Sequence, residues 1–341
     1  MRLLIVTQTI DENDPILGFF CRWIEELAKH FETISIIALT VGSHHLPENV
    51  SVYSLGKEKG GGKVAYTRRF VSLAWSLRSR YDAVLVHMNP EYVILAGLLW
   101  RALGKKISLW YNHPHFGARF ATAALLSQQI FYTSPYAAPA HLGKALRMPA
   151  GIDTELFKPT PIARDRNLIY AQGRITPSKH TDTILEALRV VRRHAPVTLM
   201  LVGPEDTAYG KSLRRRFNDL VSEGAVIFKG PLPNSKTPAL YAASGLSVNL
   251  AAAGHYDKSV LESMACETPV LVGSQAFSDM VPPQWVVTPD RTRSLPEKME
   301  EMLSLPEADY RALGRTFREA VVRSHDVKAL GEKLSKALHA V

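Results

Sequence analysis

Residues 254–274, GHYDKSVLESMACETPVLVGS, have a pattern that predicts a loop, a helix start, a short apolar helix, a turn and a buried strand. Glu262 stands inside that helix, with Leu261 and Met264 among its apolar neighbours. Acidic side chains are rarely buried without a partner. The stretch therefore predicts a carboxylate that needs either a ligand or a fixed partner within the protein.

The same alternation of apolar strands and helices extends over the whole chain. Continuous runs rich in Val, Ile and Leu are typical of parallel strands that are covered on both faces. The pattern restarts after residues 150–167, a segment with two prolines and mixed charge that suits an interdomain linker. We therefore predict two doubly wound α/β domains, residues 1–155 and 165–320, and a C-terminal helix, 321–341, that packs back on the first domain.

Individual elements follow from the same periodicity. In the first half we expect strands at residues 2–8, 33–39, 82–88, 106–112 and 130–134, and helices at 18–30, 64–80, 91–103 and 117–127. In the second half we expect strands at 167–173, 197–203, 226–230, 246–250 and 269–273, and helices at 179–194, 207–223, 236–243 and 258–266.

Composition and charge narrow the classes of protein and partner. The longest apolar run is residues 92–100, whereas a membrane-spanning helix needs about 20 such residues. The chain lacks a signal-peptide layout, and its two cysteines suggest buried thiols in a cytoplasmic protein. Residues 1–150 carry 16 Lys and Arg against 10 Asp and Glu, so most of the net charge of +9 lies in that half. Such an excess favours anionic partners such as a lipid surface, nucleic acid or a phosphorylated substrate.

The absence of three common motifs disfavours several enzyme classes. No GxGxxG follows a predicted strand, no GxxxxGK[ST] occurs, and no GxSxG is present. A dinucleotide dehydrogenase, a P-loop enzyme and a serine hydrolase are therefore disfavoured. His113 and His115 alone make a poor metal site, so we expect none.

The strongest pattern for ligand binding follows the first predicted strand of the second half. Gly173 ends that strand, and Arg174 and Lys179 lie on either side of a turn that contains Pro177. Ligands of open α/β sheets bind at the carboxyl ends of strands, and two cations beside a helix N-terminus suit a diphosphate. Two solvated side chains on a surface turn are an equally good interpretation of the pattern.

Two more loops favour ligand binding. Gly18 opens the first helix, where a missing side chain would let a ligand approach free N–H groups, although a plain loop glycine explains it as well. In the loop before Glu262, Asp257 suits an N-cap, and the N–H groups of Lys258, Ser259 and Val260 suit an anion or sugar hydroxyls. Glu262 itself suits a diol such as a ribose, or a hydrogen bond to the backbone.

The segment 64–80 predicts a basic helix after a glycine-rich loop. Tyr66, Phe70, Leu73 and Leu77 share one stripe of this helix, with arginines beside it. The helix therefore either lies on anionic lipid with this stripe or packs the stripe into the core and leaves the arginines in solvent.

Taken together, these motifs resemble the retaining GT-B glycosyltransferases of family 4. The resemblance covers nearly the whole chain. Its motifs are MRLLIVTQ (1–8), GIDTELFKP (151–159), GRITPSK (173–179), VIFKGPLPNSKTPALYAASGLSVNL (226–250) and SVLESMACETPVLVG (259–273). It implies two Rossmann-like domains that face a cleft, and transfer of a sugar from a UDP- or GDP-linked donor to a glycan, lipid-linked or polymer acceptor, without a metal or other cofactor.

The resemblance also assigns roles to residues. Arg174 and Lys179 would hold the donor diphosphate, and Glu262 would bind the donor ribose. The backbone from Gly254 to Val260 would hold the sugar and phosphates, and the stretch around Leu232 would flank the base. His113 matches the family's active-site histidine, although an ordinary loop histidine is nearly as good an interpretation.

Two departures from the family pattern leave alternatives open. Gly254 stands where the family usually has a sugar-contacting Glu, which puts the donor in doubt, and Glu267 replaces a usual Gly. We expect a transferase in the cytoplasm, peripheral at the inner membrane face, that binds no nucleic acid. The alternatives are a non-catalytic GT-B protein that binds a nucleotide or glycan or serves as a partner subunit and, less well supported by the motifs, a sugar-nucleotide epimerase.

Overall fold

The computed structural model describes residues 1–287 and 293–340, which form two compact α/β units. The first unit comprises residues 1–151 together with 327–341. The second comprises residues 152–326. The chain therefore leaves the first unit once and returns to it with its last helix.

A parallel sheet of seven strands forms the centre of the first unit. The strands are β1 (Leu3–Ile10), β2 (Ile34–Val41), β3 (Val50–Ser54), β4 (Ala83–His87), β5 (Lys106–Trp110), β6 (Gln129–Tyr132) and β7 (Ala145–Arg147). Their order is β3-β2-β1-β4-β5-β6-β7, and every pair is parallel. The reversal of direction beside β1 is the doubly wound arrangement that the sequence predicts.

Helices cover both faces of this sheet. They are α1 (Phe19–Ala28), α2 (Lys63–Ser76), α3 (Pro90–Ala102), α4 (Ala118–Leu126) and the C-terminal α12 (Val327–Ala340). On one face α1 and α12 bury a cluster that includes Trp23, Ile24 and Leu334. On the other face α2, α3 and α4 bury a second cluster that includes Phe70, Trp100 and Phe120. Burial on both faces explains why the central strands are apolar throughout.

The second unit repeats the architecture with a sheet of five parallel strands. They are β8 (Asp165–Gln172), β9 (Thr198–Val202), β10 (Val226–Gly230), β11 (Ser244–Asn249) and β12 (Val270–Val272), in the order β10-β9-β8-β11-β12. The helices are α5 (Thr181–Val191), α6 (Ala208–Arg216), α7 (Asn218–Ser222), α8 (Pro238–Ala243), α9 (Lys258–Ala265), α10 (Leu295–Leu303) and α11 (Glu307–His325). The predicted fold class, two doubly wound α/β domains, is confirmed.

Several element boundaries differ from the sequence prediction. The strands β3 and β7 are missing from the prediction, because they lie at the two edges of the sheet and their partly exposed residues do not form the continuous apolar runs that identify the central strands. The predicted helix 207–223 is two helices, since Phe217 leaves helical geometry with φ −110° and ψ 29°. None of the described helices is both long and apolar enough to cross a membrane.

Candidate functional site

A pocket in the second unit lies at the carboxyl ends of β8, β9 and β11. Its polar lining includes Arg174, Lys179 and Asn249, and its apolar floor includes Ile184 and Leu201. The carboxyl edge of an open α/β sheet is where ligands bind, because the helix N-termini and the connecting loops converge there. The structure thus places two cations predicted from the sequence in one pocket.

The turn that carries Arg174 and Lys179 is fixed to the neighbouring strand. The N–H of Gly173 donates to the carbonyl of Val202 at 2.9 Å, and that of Ile175 donates to the carbonyl of Pro204 at 3.0 Å. Gly173 has φ +147°, in the region that favours glycine. Lys179 ends a short 3₁₀ turn, and α5 begins only at Thr181, so the predicted helix start at 179 is two residues early.

Asp257 joins the turn to the loop that the sequence singles out. Its carboxylate forms an ion pair with the Lys179 ammonium, and both side chains are about one-fifth exposed. The Asn249 amide at the end of β11 donates to the same carboxylate at 2.9 Å and to the Ser259 hydroxyl at 3.0 Å. These contacts hold a cation, an anion and the start of α9 together.

The predicted capping role of Asp257 is wrong in one respect. The residue does occupy the N-cap position of α9, with extended backbone geometry, but its side chain makes no capping hydrogen bond. The carboxylate turns instead towards Lys179, because a full opposite charge attracts it more strongly than a backbone N–H. Asp257 therefore orients Lys179 as well as beginning the helix.

Glu262 is buried and has fixed partners within the protein. Its side chain accepts from the Asn234 amide at 2.8 Å and from the Tyr241 hydroxyl at 3.3 Å. Only 3% of the residue's surface is exposed. The sequence predicted either a ligand or a backbone hydrogen bond for this carboxylate. In the structure its partners are side chains of a preceding turn and of α8.

Burial controls the electrostatics of this helix. It raises the pKa of Glu262, and the hydrogen bond from Asn234 and the charge of Lys258 oppose that rise. Burial also lowers the pKa of Lys258, and the charge of Glu262 opposes that change. Lys258 and Glu262 stand one helical turn apart, so each favours the charged form of the other. A bound anion near Lys258 would favour its protonated form further.

Gly254 and Glu267, which both depart from the family pattern, have left-handed backbones. Gly254 is buried with φ +84°, a conformation that a glutamate rarely adopts. The loop conformation thus accounts for a glycine at this position. Glu267 has φ +56° just beyond α9, where helices commonly end with a glycine.

Leu232 lies half-buried in the loop that follows β10. A 3₁₀ turn, Asn234–Lys236, comes next and supplies the Asn234 amide to Glu262. The predicted base-flanking loop is therefore connected to the predicted ribose-binding carboxylate through one hydrogen bond. Val260, whose N–H was predicted to be available to a ligand, is fully buried in the first turn of α9, and its N–H donates to the carbonyl of Asp257 at 3.2 Å.

Gly18 and His113 belong to the first unit. A Cβ at Gly18 would lie 2.6 Å from the Asp14 carbonyl oxygen, so the loop itself requires a glycine there. His113 is exposed after β5, with its ring centroid 5.5 Å from that of Tyr111. Its carbonyl accepts from the N–H of Ala138 at 2.8 Å.

Gly203, which follows β9 and packs against the backbone of the turn that begins at Gly173, is a further residue that the sequence prediction missed. It has φ +150°, and a Cβ there would lie 1.9 Å from the carbonyl oxygen of Gly173. Since the backbone fixes the position of a Cβ and the oxygen belongs to the backbone of Gly173, no side-chain rotation relieves the overlap. The signal was a glycine at the end of a predicted strand, the same signal that identified Gly173.

We expect Gly203→Ala to lower both stability and ligand binding. Overlap with the backbone and an unfavourable φ together should cost about 2–4 kcal/mol of unfolding free energy. The turn that carries Arg174 must also shift. Thermal unfolding and nucleotide titration measure the two effects, with Gly224→Ala as the control, because its φ is +71° but nothing lies within 4 Å of its Cβ position. Equal behaviour of the two variants would contradict this account of Gly203.

Residues 152–320 match the family described as "Glycosyl transferases group 1". This segment covers nearly the whole second unit, including the pocket and α9. A curated relative is the GDP-mannose-dependent alpha-(1-6)-phosphatidylinositol monomannoside mannosyltransferase of Mycolicibacterium smegmatis, 30% identical over 159 residues. That alignment covers 41% of this chain and 39% of the relative, so the match spans about two-fifths of the length of the relative.

Solved structures match over the whole chain. Anabaena Alr3699/HepE in complex with UDP and glucose has a TM-score of 0.80 at 16% identity and covers 100% of both chains. WaaG, a glycosyltransferase involved in lipopolysaccharide biosynthesis, has a TM-score of 0.73 at 14% identity, over 99% of this chain and 100% of the other. The two units therefore have the GT-B glycosyltransferase fold.

Proposed function

We propose that the protein is a glycosyltransferase that moves a sugar from a nucleoside diphosphate to an acceptor hydroxyl. The observation that carries the proposal is the cluster of Arg174, Lys179, Asp257 and Asn249 at the carboxyl edge of the second sheet. The match to the glycosyl transferases group 1 family over the same unit supports it. We propose transfer with retention of the anomeric configuration, on the strength of the motif resemblance.

Arg174 and Lys179 are the proposed ligands of the donor diphosphate. Negative charge develops on the diphosphate as the bond to the sugar breaks, and preorganised cations at that position lower the barrier. Lys179 is held in place by Asp257, which limits the reorganisation needed when the donor binds. These two cations supply the charge stabilisation that a metal supplies in other transferases, so we propose that no metal is required.

Glu262 is the proposed ligand of the ribose, with Leu232 beside the base. Asn234 and Tyr241 orient the carboxylate, whose remaining lone pairs can accept hydroxyl donors. The N–H of Ser259 at the start of α9 suits the phosphates or the sugar, whereas the N–H of Val260 already donates to the carbonyl of Asp257 at 3.2 Å. We propose a UDP- or GDP-linked hexose as the donor. Since Gly254 has no carboxylate that could select one sugar, the assay with a panel of nucleotide sugars determines which hexose is transferred.

The proposed acceptor and the residues that would contact it are based on the first unit and on the curated relative. His113, exposed at the end of β5, is the proposed acceptor-side catalytic residue, and Gly18 is the proposed close-approach point of the loop after β1. The mycobacterial relative is named for a phosphatidylinositol monomannoside. We therefore propose a glycan or lipid-linked acceptor, used at the cytoplasmic face of a membrane.

A non-catalytic binding protein or partner subunit is the alternative. The absence of a carboxylate at 254, together with the engagement of both Glu262 oxygens by protein groups, favours it. The first hypothesis predicts nucleotide binding and turnover, whereas the alternative predicts no turnover and requires no nucleotide binding.

We expect UDP or GDP to stabilise the protein against heat. Ligand at 100 times Kd adds about 2.7 kcal/mol to the free energy of unfolding, which for a unit of this size raises Tm by about 5 °C or more. Thermal shift with UDP, GDP and AMP measures the effect, and AMP, which lacks a diphosphate, is the control. A panel of UDP- and GDP-sugars assayed for hydrolysis then separates enzyme from binding protein. A flat Tm with both diphosphates would overturn the proposed donor site.

A further inference from the structure

One face of α2 does not pack against the protein. The sequence left open whether the stripe with Phe70 and Leu77 faces lipid or the core. In the structure both of these residues are buried in the core of the first unit. The rings of Phe70 and Tyr92 lie 4.7 Å apart and fix α2 against α3. The stripe first considered for lipid is therefore unavailable to any partner, and the opposite face of α2 points outward.

That outward face carries apolar side chains and arginines together. Val64, Val71 and Trp75 are 67%, 39% and 50% exposed, and Arg68 lies on the same helical stripe. Arg78 follows in the turn just beyond the end of α2. The Arg78 guanidinium lies 4.2 Å from the centroid of the Trp75 ring. A tryptophan beside an arginine is a combination that suits the boundary between lipid headgroups and acyl chains.

The neighbouring helix α3, which packs against the same core cluster as α2, also exposes apolar side chains. Ile94, Leu95 and Leu98 are 37%, 44% and 72% exposed. The α3 residue Arg101 donates to the carbonyl of Leu125 on α4 at 3.1 Å, and Leu125 is itself 74% exposed. These helices thus present an outer apolar face, defined as Val64, Val71, Trp75, Ile94, Leu95 and Leu98.

This concentration of exposed apolar side chains distinguishes the face from ordinary surface. Seven of the sixteen large apolar side chains that are exposed among the described residues lie on α2, α3 and α4. Single exposed apolar residues need no explanation, whereas grouped ones mark an interaction surface.

The charge of the same helices selects the partner. Within α2, α3 and α4 the cations are Lys63, Arg68, Arg69, Arg101 and Arg119, and the only acidic residue is Glu91, which pairs with Arg119 at 3.1 Å. A second copy of this chain would bring the same positive charge to the contact and be repelled. An anionic bilayer offers negative headgroups to the arginines and acyl chains to the apolar residues.

We infer that the outer apolar face docks the first unit on an anionic lipid surface. Trp75 and Leu98 enter the headgroup region, and Arg68 and Arg69 contact phosphates. The inference deepens the proposed use of an acceptor at a membrane. Docking needs no sugar donor and no turnover, so its test is separate from that of the donor site.

The test is co-sedimentation of the full-length protein with vesicles of phosphatidylcholine containing 30 mol% phosphatidylglycerol, a fraction chosen for an anionic surface at about physiological charge density. The wild type is expected to bind these vesicles and to bind pure phosphatidylcholine at least about tenfold more weakly. The variant V71S/W75S/L98S is expected to lose about tenfold or more in partition coefficient. R68Q/R69Q is expected to lose about 25-fold, from about 1 kcal/mol per cation.

Matched controls lie on the second unit. The variant I162S/V190S/V322S removes three side chains that are 51%, 37% and 43% exposed, and R215Q/R323Q removes two exposed arginines. Both controls are expected to bind vesicles like the wild type, and thermal unfolding verifies that every variant is folded. Absent binding by the wild type, or equal losses in face and control variants, would overturn the proposal. So would concentration-dependent dimerisation that V71S/W75S/L98S abolishes, since the face would then contact a second copy.

Discussion

Lys179→Ala is expected to lower kcat/KM for sugar transfer by about 10³, the size of effect that follows loss of one preorganised group at a developing anion. Lys179 and Arg174 line the same pocket, and each is expected to produce a loss of this order when replaced by Ala. Steady-state kinetics with the best donor from the nucleotide-sugar panel measure the change.

The fold is expected to survive the Lys179 substitution. Asp257 loses its ion pair but keeps the hydrogen bond from the Asn249 amide, and it is partly exposed to water. Lys211→Ala, which removes an exposed lysine on α6, is the matched control and should leave kcat/KM within about twofold. Turnover at the wild-type level in both Lys179→Ala and Arg174→Ala would contradict the transferase assignment.

Glu262→Ala is expected to reduce both stability and nucleotide affinity. The substitution leaves the buried hydroxyl of Tyr241 and the amide of Asn234 without their acceptor. It also removes the negative charge that stabilises the charged form of Lys258 and opposes the lowering of its pKa by burial. An unsatisfied buried polar group costs about 1–3 kcal/mol, so we expect the free energy of unfolding to fall by about 3 kcal/mol. Chemical denaturation measures this change.

A second variant separates the two roles of Glu262. Glu262→Gln keeps the volume and one acceptor but removes the charge, so stability should fall less while affinity for UDP or GDP still drops by about tenfold or more, as expected for a lost charged hydrogen bond. Glu319→Ala, at an exposed position on α11, controls for removal of a carboxylate. If Glu262→Gln and the wild type bind nucleotide equally, Glu262 serves the protein alone and the ribose assignment is wrong.

The sequence contained enough information for the fold class and for the location of the pocket. Apolar strands alternating with amphipathic helices identify a doubly wound sheet, because only a parallel sheet covered on both faces needs strands that are apolar throughout. The position of Gly173 and Arg174 directly after such a strand placed them at its carboxyl edge. The structure brings them together with Lys179 as that rule requires.

The partners of these residues could not be predicted from local patterns. Asp257 has the ordinary sequence features of an N-cap, and only the folded chain brings the Lys179 ammonium within reach of it across 78 residues. Asn234 and Tyr241 likewise approach Glu262 from a different loop and helix. Gly203 requires a glycine because another strand's connection passes over it, which no periodicity reports.

By itself, the sequence determined that this protein has two doubly wound α/β units and a carboxylate in α9 that needs a partner. It did so because side-chain periodicity records which faces of each element are buried. Only the tertiary structure decided that Glu262 is held by Asn234 and Tyr241, that Asp257 orients Lys179, and which stripe of α2 faces outward. Those outcomes depend on contacts between residues that are far apart in the chain. The same holds for α2, because a helix with two apolar stripes buries the one that packs better against its neighbours.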